Sequence, residues 1–400
     1  MMVLGMVIGA GTLTKSNSFF SMPLLIATFL LFDWGQKAWK SKLLKLAVLS
    51  ALSIFMAFGF YSILRLSPYF HIIAEKNAMF AYPFNDWIQH PIQYFVSNIR
   101  GLFDWLLAYF TLPLLLLVTA AFIFTKKINR KQCIAAVGIF IPLLVVLFML
   151  QQISTLNIVR IEPPLFHPYI FFVFFLFSLY ISRINNEYFK EKIILFVWFA
   201  VPFAYLAFFG KTIYPRFIFF MAIFLLPLAA FSLWSIYSSV SKKLLFLPIF
   251  LLIMVFPLRS DYFILTDFAK APIPESDLGQ YINSWPAGGG IKEIITFLEK
   301  RASREKIYVA TEGTFGSLPT NSVEIYLGEN KNVEKRGIWP LPIGMPKDLI
   351  KKAKVMPVYF IFNETQYPPP PVDWPLRFIV KYKKGISQES YISLYQVENR

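Results

Sequence analysis

FIFFMAIFLLPLAAFSLWSIYS, residues 217–238, runs for 22 residues without a charged side chain. At 1.5 Å per helical residue such a run reaches about 33 Å, enough to cross a hydrocarbon core of about 30 Å. Lys211-Thr212-Ile213-Tyr214-Pro215-Arg216 precedes it, and Lys242 and Lys243 follow it. Eight further apolar runs lie near 1–13, 19–32, 46–64, 103–125, 133–150, 166–182, 193–209 and 244–258. The pattern predicts a multi-pass, all-α membrane bundle of about nine helices over residues 1–258. The first two runs are short for a full crossing, and the segment 1–13 reads as cut off at its start. It lacks the basic n-region of a cleavable signal peptide.

Composition agrees. The 400 residues are 56% hydrophobic and only 16% charged, where a soluble domain carries about a quarter. Only seven of the 23 acids fall within residues 1–258: Asp33, Glu75, Asp86, Asp104, Glu162, Glu187 and Glu191. Lys and Arg divide almost evenly about residue 258, so most of the +16 net charge sits in the apolar part. That imbalance belongs to cytoplasmic loops of a membrane protein. No basic stripe interleaved with aromatics points to nucleic acid, which is not expected as a partner. Cys133 stands alone and excludes an intrachain disulfide. His71, His90 and His167 have no metal-ligand spacing, so no metal site made wholly of protein ligands is expected.

Orientation follows from the loops. Those holding Lys37 to Lys45, Lys126 to Lys131, Arg183 to Lys192 and Lys242-Lys243 carry thirteen cations, the alternate loops seven. The positive-inside bias places the richer set in the cytoplasm. The loop 66–102 and everything after Pro257 then lie outside. Ser67-Pro68-Tyr69, Tyr82-Pro83-Phe84 and His90-Pro91 mark the loop as one of interfacial helices. Residues 259–400 change character. Helices at Ile291–Leu298, Thr320–Leu327 and Lys347–Lys354 alternate with strands at Lys306–Ala310, Val358–Phe362, Arg377–Tyr382 and Tyr391–Gln396. This predicts a small extracytoplasmic α/β domain. The Gly288-Gly289-Gly290 turn lacks a following Lys-Ser/Thr and reads as a helix entrance, not a phosphate loop. Tyr367-Pro368-Pro369-Pro370-Pro371 reads as a stiff surface loop. Asn363-Glu364-Thr365 fits the glycosylation sequon, a short pattern common by chance.

Two clusters carry candidate chemistry. One is Gly5-x-x-x-Gly9-Ala10-Gly11-Thr12-Leu13-Thr14-Lys15 with Pro23 beyond it; the other is Lys211 to Phe217. The glycines permit close helix packing. Lysine and arginine at an outer interface suit a lipid phosphate, as a point charge and as a fork. The alternative is snorkelling to headgroups.

Together, in this order, the clusters resemble those of the GT-C superfamily of polytopic glycosyltransferases, nearest the protein mannosyltransferases and aminoarabinose transferases. The matching positions are Gly5, Gly9, Leu13, Thr14, Lys15 and Pro23, then Arg216, with Phe217 in place of a tyrosine, and Pro227. Asn283-Ser284-Trp285-Pro286-Ala287-Gly288-Gly289-Gly290 resembles the opening of the outer domain in some bacterial members. The resemblance implies transfer of a sugar from a polyprenyl-phosphate-linked donor to an acceptor hydroxyl outside the cytoplasm, the acceptor being a glycan, lipid or protein. It implies phosphate-side roles for Lys15 and Arg216, with Lys211 and Tyr214 beside them. It implies an outer-loop acid as general base.

The first outer loop, Thr14–Ser18, contains no acid, so the chain is expected to lack N-terminal spans and, with them, the base. Among the outer acids Glu75, Asp86, Asp104 and Glu162, the substitutes are Asp86 and Glu75. No cofactor is expected, and the sequence leaves participation of a divalent metal open. Two rival readings are a non-catalytic membrane scaffold whose outer domain binds polysaccharide or a partner protein, and a transporter. The transporter reading suffers from the lack of acids deep within a span.

Overall fold

A computed structural model describes residues 2–32, 38–90, 92–155, 167–182, 188–313, 318–363, 373–385 and 390–398. The chain divides into two compact units, Met1–Arg259 and Ser260–Arg400. Among the described residues, four helices are long and apolar enough to cross a membrane, or five if one sharply bent pair counts as a single span.

The first unit is helical. It comprises α1 (Met2–Thr14), α2 (Ser21–Ile26), α3 (Trp39–Tyr61), α4 (Phe70–Phe80), α5 (Phe84–Gln89), α6 (Phe95–Phe110), α7 (Leu112–Ala121), α8 (Arg130–Thr155), α9 (His167–Ser182), α10 (Phe189–Phe209), α11 (Arg216–Ala222), α12 (Leu226–Ser239) and α13 (Phe246–Thr266). The run 217–238 is realised as α11 and α12 joined by a short 3-10 turn, Ile223–Leu225. Loop 66–102 contains two short helices, α4 and α5, before α6 begins. The apolar run at 19–32 is a series of short pieces, α2 between 3-10 turns at Ser16–Phe20 and Ala27–Leu31.

The apolar run near 103–125 is not one straight helix. Helices α6 and α7 meet at 97°, with Thr111 between them at φ 63. Pro113, in the first turn of α7, has no N–H to donate back to Tyr109, and its ring would clash there, so a straight helix cannot pass. The last apolar run also differs, since α13 continues beyond residue 258 to Thr266 and carries Arg259 and Asp261; none of its residues is buried.

Helix α1 lies against α3 at backbone distance. A Cβ on Gly5 would stand 2.8 Å from the Ser53 carbonyl oxygen, and one on Gly9 would stand 2.6 Å from Phe60 Cβ. Facing them, Ser53 and Ala57 are almost wholly buried. The small residues exchange side-chain volume for close contact. A second core, rich in phenylalanine, joins α6, α7, α9, α10, α11 and α12 through Leu106, Phe122, Phe175, Phe199 and Met221. Lys192, counted above among loop cations, is buried instead. Its Nζ donates to the Phe124 carbonyl at 3.0 Å and lies 3.9 Å from the Phe231 ring centroid. A cation beyond the C-terminus of α7 satisfies a carbonyl that the helix leaves open.

The second unit is an α/β domain. Its sheet has the order β2-β1-β3-β5-β4, with β1 (Ile307–Glu312), β2 (Val333–Ile338), β3 (Val358–Asn363), β4 (Leu376–Lys383) and β5 (Tyr391–Val397). The first three strands are parallel, and β4 and β5 are antiparallel additions. The helices are α14 (Glu275–Leu278), α15 (Ile291–Ala302), α16 (Thr320–Leu327) and α17 (Lys347–Ala353). Along β1, Ile307 and Val309 meet α15 and α16, whereas Tyr308 and Ala310 pack on the face where Leu349 of α17 lies. Both β1 and β3 are buried on both faces, as central strands under two helical layers are. Strand β2 went unpredicted. Its Glu334, Lys335 and Arg336 hide an edge strand, whose charges discourage further pairing. Glu334 bonds Lys306 and Lys352, which hold its carboxyl down at about 2.

At the carboxyl ends of β1 and β3, Lys384 Nζ donates to Asn363 Oδ1 at 2.7 Å and to the Trp285 carbonyl at 3.1 Å. The Asn363 backbone N–H donates to Glu312 Oε2 at 2.8 Å, and its Nδ2 donates to the Trp285 carbonyl. Gly290 caps α15 at φ 84, where a Cβ would stand 2.4 Å from Tyr382 Cβ. The Trp285–Gly290 stretch is therefore the seam that fastens α15 to the sheet. Asn363 is fully buried, so the sequon is not an accessible acceptor. The proline run 368–371 lies outside the described residues.

Two outcomes follow from this packing. Gly9→Val is expected to cost about 1–3 kcal/mol through overpacking against Phe60, seen as a lower Tm of the full chain in detergent. Burial pulls Lys384 down to about 8, partly offset by Glu312. Its unfolded value is 10.5, so between these pH values the unfolded chain holds more protons and stability rises with pH. Hydrogen exchange in β1 and β3 should slow from pH 8 to 10 after correction for intrinsic rates, and Lys384→Met should flatten that trend. Above pH 10 the raised values of Tyr308 and Tyr359, both caused mainly by burial, act in the opposite direction.

Candidate functional site

The site is built where α10 ends. An α-helix leaves its last carbonyls without intrahelical donors, and in apolar surroundings those groups need partners. Here Asn98 supplies one set. Its Nδ2 donates to the Gly210 carbonyl at 2.8 Å and approaches the Ala207 carbonyl at 3.3 Å. Residues 80–82 supply another. The Tyr82 N–H donates to the Phe209 carbonyl at 2.8 Å and the Lys211 N–H to the Phe80 carbonyl at 2.9 Å, forming an antiparallel bridge between Ala81 and Gly210.

This bridge docks the 66–102 loop onto the turn that begins with Lys211. The rings of Tyr82 and Tyr94 stack at 4.1 Å with an interplanar angle of 11°. Lys211 Nζ lies 5.9 Å from the centroid of the Tyr82 ring. Burial, reinforced by the hydrogen bond and charge of Tyr94, pushes the Tyr82 phenol up to about 12, so it stays protonated at neutral pH. Asp86, on α5, lines a pocket of about 140 Å³ together with Tyr82, Trp87 and Tyr94. Trp87 packs on Phe209 at 5.2 Å.

Arg216 opens α11. Its guanidinium lies 4.5 Å from the Tyr214 ring centroid and 5.7 Å from that of Phe217, an arrangement that fixes the fork while leaving the group half-buried. The Tyr214 and Phe217 rings in turn meet Phe80 at 6.4 and 5.8 Å. Thus Asp86 and Lys211 both lie beside Tyr82, and Arg216 packs on Tyr214, which meets Phe80 next to the Ala81–Gly210 bridge. Asp86 and Lys211 are exposed and make no ion pair among the described residues.

Lys15 follows α1 as an exposed residue, and its N–H donates to the Gly11 carbonyl at 2.9 Å. Five residues on, Phe20 stacks on Phe220 at 5.4 Å and meets Tyr205 at 5.1 Å. The chain leaving Lys15 is therefore fastened to α11, the helix that Arg216 begins. Glu75 sits on α4, and its side chain lies outside what the structure describes, as does Glu162. Asp104 faces Arg100 at 4.0 Å, one turn away on α6. Among the described residues no three His, Cys, Asp or Glu side chains converge on a metal position.

Sequence reasoning passed over Asn98, Tyr82, Trp87 and Tyr94. The only signal for Asn98 was an amide beside Ile99 and Phe95 in an otherwise amphipathic helix, which does not name its partner. In comparisons with known proteins, the chain matches no family model, no curated protein and no solved structure.

Asn98→Ala should leave the carbonyls after Leu206 short of a donor, at about 1–2 kcal/mol. Hydrogen exchange should report this as roughly tenfold faster exchange at the Tyr82 and Lys211 amides, with little change in the α/β unit.

Proposed function

We propose that this chain is a GT-C-like membrane glycosyltransferase that takes its sugar from a polyprenyl-phosphate donor. In this reading the bundle has nine spans, and the turn 211–216, the loop with Asp86 and the α/β domain lie on the outer side. One observation carries the reading: the Ala81–Gly210 bridge joins the loop that carries Asp86 to the turn that carries Lys211 and Arg216. A transferase needs both kinds of group at one site, because a base deprotonates the acceptor and negative charge develops on the departing phosphate.

The step balances as follows. The Asp86 carboxylate accepts the proton of the acceptor hydroxyl, and the acceptor oxygen attacks the anomeric carbon. The bond from that carbon to the phosphate oxygen breaks, and its electron pair leaves with the polyprenyl phosphate. The departing phosphate gains a negative charge, which the Arg216 fork and the Lys211 ammonium stabilise. Tyr214 keeps Arg216 in place by its ring contact. Lys15 belongs to the same phosphate side through the fastening of Phe20 to α11. Proton release from Asp86 to water completes the turnover.

The test is sugar transfer by the full chain in lipid nanodiscs from a labelled polyprenyl-phosphate sugar. Asp86→Asn is expected to slow transfer by about 10²–10⁴-fold and Arg216→Ala by about 10²–10³-fold. Wild-type rates in both variants would remove the reading.

A further inference from the structure

The pocket beside Asp86 has properties that the phosphate side does not. Its lining includes Tyr82, Asp86, Trp87, His90, Gln93 and Tyr94, and no lysine or arginine. Two of its walls are aromatic and held rigidly. The Tyr82 ring is backed by Tyr94 at 4.1 Å. The Trp87 ring is backed by Phe209 at 5.2 Å, Phe84 at 5.8 Å and Phe208 at 6.3 Å. Trp87 Nε1 is shielded from solvent and finds no acceptor among the described residues. A shielded donor left unmade costs about 1–3 kcal/mol.

Charge and shape narrow the occupant. A phosphate or carboxylate entering this pocket would meet the Asp86 carboxylate with no cation in the lining to offset it. An extended peptide would need a free strand edge, and the edge at residues 80–82 is already bonded to residues 209–211. A purely apolar chain would strand the amide and carboxylate groups of the rim. A neutral polyhydroxyl ring meets every condition. Its C–H faces lie on aromatic walls, and its hydroxyls can donate to Asp86 and bond to His90 and Gln93. The volume of about 140 Å³ exceeds the 10–15 Å³ or so that holds one water. It falls short of the roughly 300–1,000 Å³ of drug-sized pockets, which leaves room for a single ring.

We propose that this pocket is the acceptor subsite and that the acceptor is a saccharide, one neutral sugar residue of which is held between Tyr82 and Trp87 with a hydroxyl turned to Asp86. The proposal rests on the transferase reading and adds to it the chemical class of the acceptor.

Saturation-transfer NMR on the full chain in nanodiscs tests this with methyl glycosides of mannose, glucose, galactose and N-acetylglucosamine as probes. At least one is expected to bind with a Kd of about 1–10 mM, as suits a single ring. Gln93→Ala and Trp87→Ala, the latter removing an aromatic wall, should each weaken it about five- to tenfold. A polyprenyl phosphate should not displace it. Binding by none of the four probes overturns the proposal, as does binding that both variants leave unchanged, or displacement by the phosphate. If the polyprenyl phosphate binds through Lys211 and Arg216 while no glycoside does, the acceptor assignment falls and the transferase reading stands. If glycosides bind as expected and no labelled donor ever supports transfer, the transferase reading falls while the pocket stands as a saccharide site.

Discussion

The end of α10 poses the requirement on which the site depends. Carbonyls from Ala207 to Gly210 emerge among phenylalanines with no further helical N–H to donate to them. Water is a poor solution in such surroundings, and an unsatisfied carbonyl there costs several kcal/mol. The chain answers with the Asn98 amide and with the backbone of residues 80–82. Once those bonds form, a loop that the sequence leaves free to lie anywhere on the surface has one docking position. Tyr82, Asp86 and Trp87 are then fixed relative to Lys211 and Arg216. Backbone hydrogen-bond demand, more than attraction between the charged groups, assembles the cluster.

The same economy of small contacts recurs elsewhere in the helical unit. Gly5 and Gly9 bring α1 onto Ser53 and Ala57 of α3, and the turn after Lys15 is carried to α11 by the Phe20–Phe220 stack. Lys190 and Lys192 donate to carbonyls of Phe32 and Phe124, where helical segments stop. Each of these lysines would count toward orientation in a reading of loop charges. Lys192 shows that such a cation can also have a structural partner, buried against the Phe231 ring.

In the α/β unit, Lys384, Asn363 and Glu312 fill the crevice at the carboxyl ends of β1 and β3. In open α/β sheets ligands often bind in that place. Here the crevice is closed by the chain's own side chains, and Trp285 is drawn in by its carbonyl. The stretch that resembles a family motif, Trp285 to Gly290, has its physical reason in that closure. Gly290 lies where Tyr382 and Ile392 leave no room for a Cβ, and Gly289 lies close against the Lys384 backbone.

Composition and periodicity alone determined the division into an apolar helical part and an α/β part. The long charge-free runs admit only helices, and alternating patterns of two and 3.6 residues mark strands and helices in turn. The central strands β1 and β3 were legible because burial on both faces demands unbroken apolar runs. Edge strand β2 was not, because one exposed edge tolerates Glu334, Lys335 and Arg336. The break at Thr111 was hidden too, since Pro113 in an apolar run signals a kink without its angle. For the site, the sequence determined which side chains were candidates: Asp86 in a loop, Lys211 and Arg216 around a proline. Their meeting required a bond between residues more than a hundred positions apart, Asn98 to Gly210. No local pattern encodes such a pairing, because it arises only when a helix ends and its open carbonyls must find a donor in three dimensions.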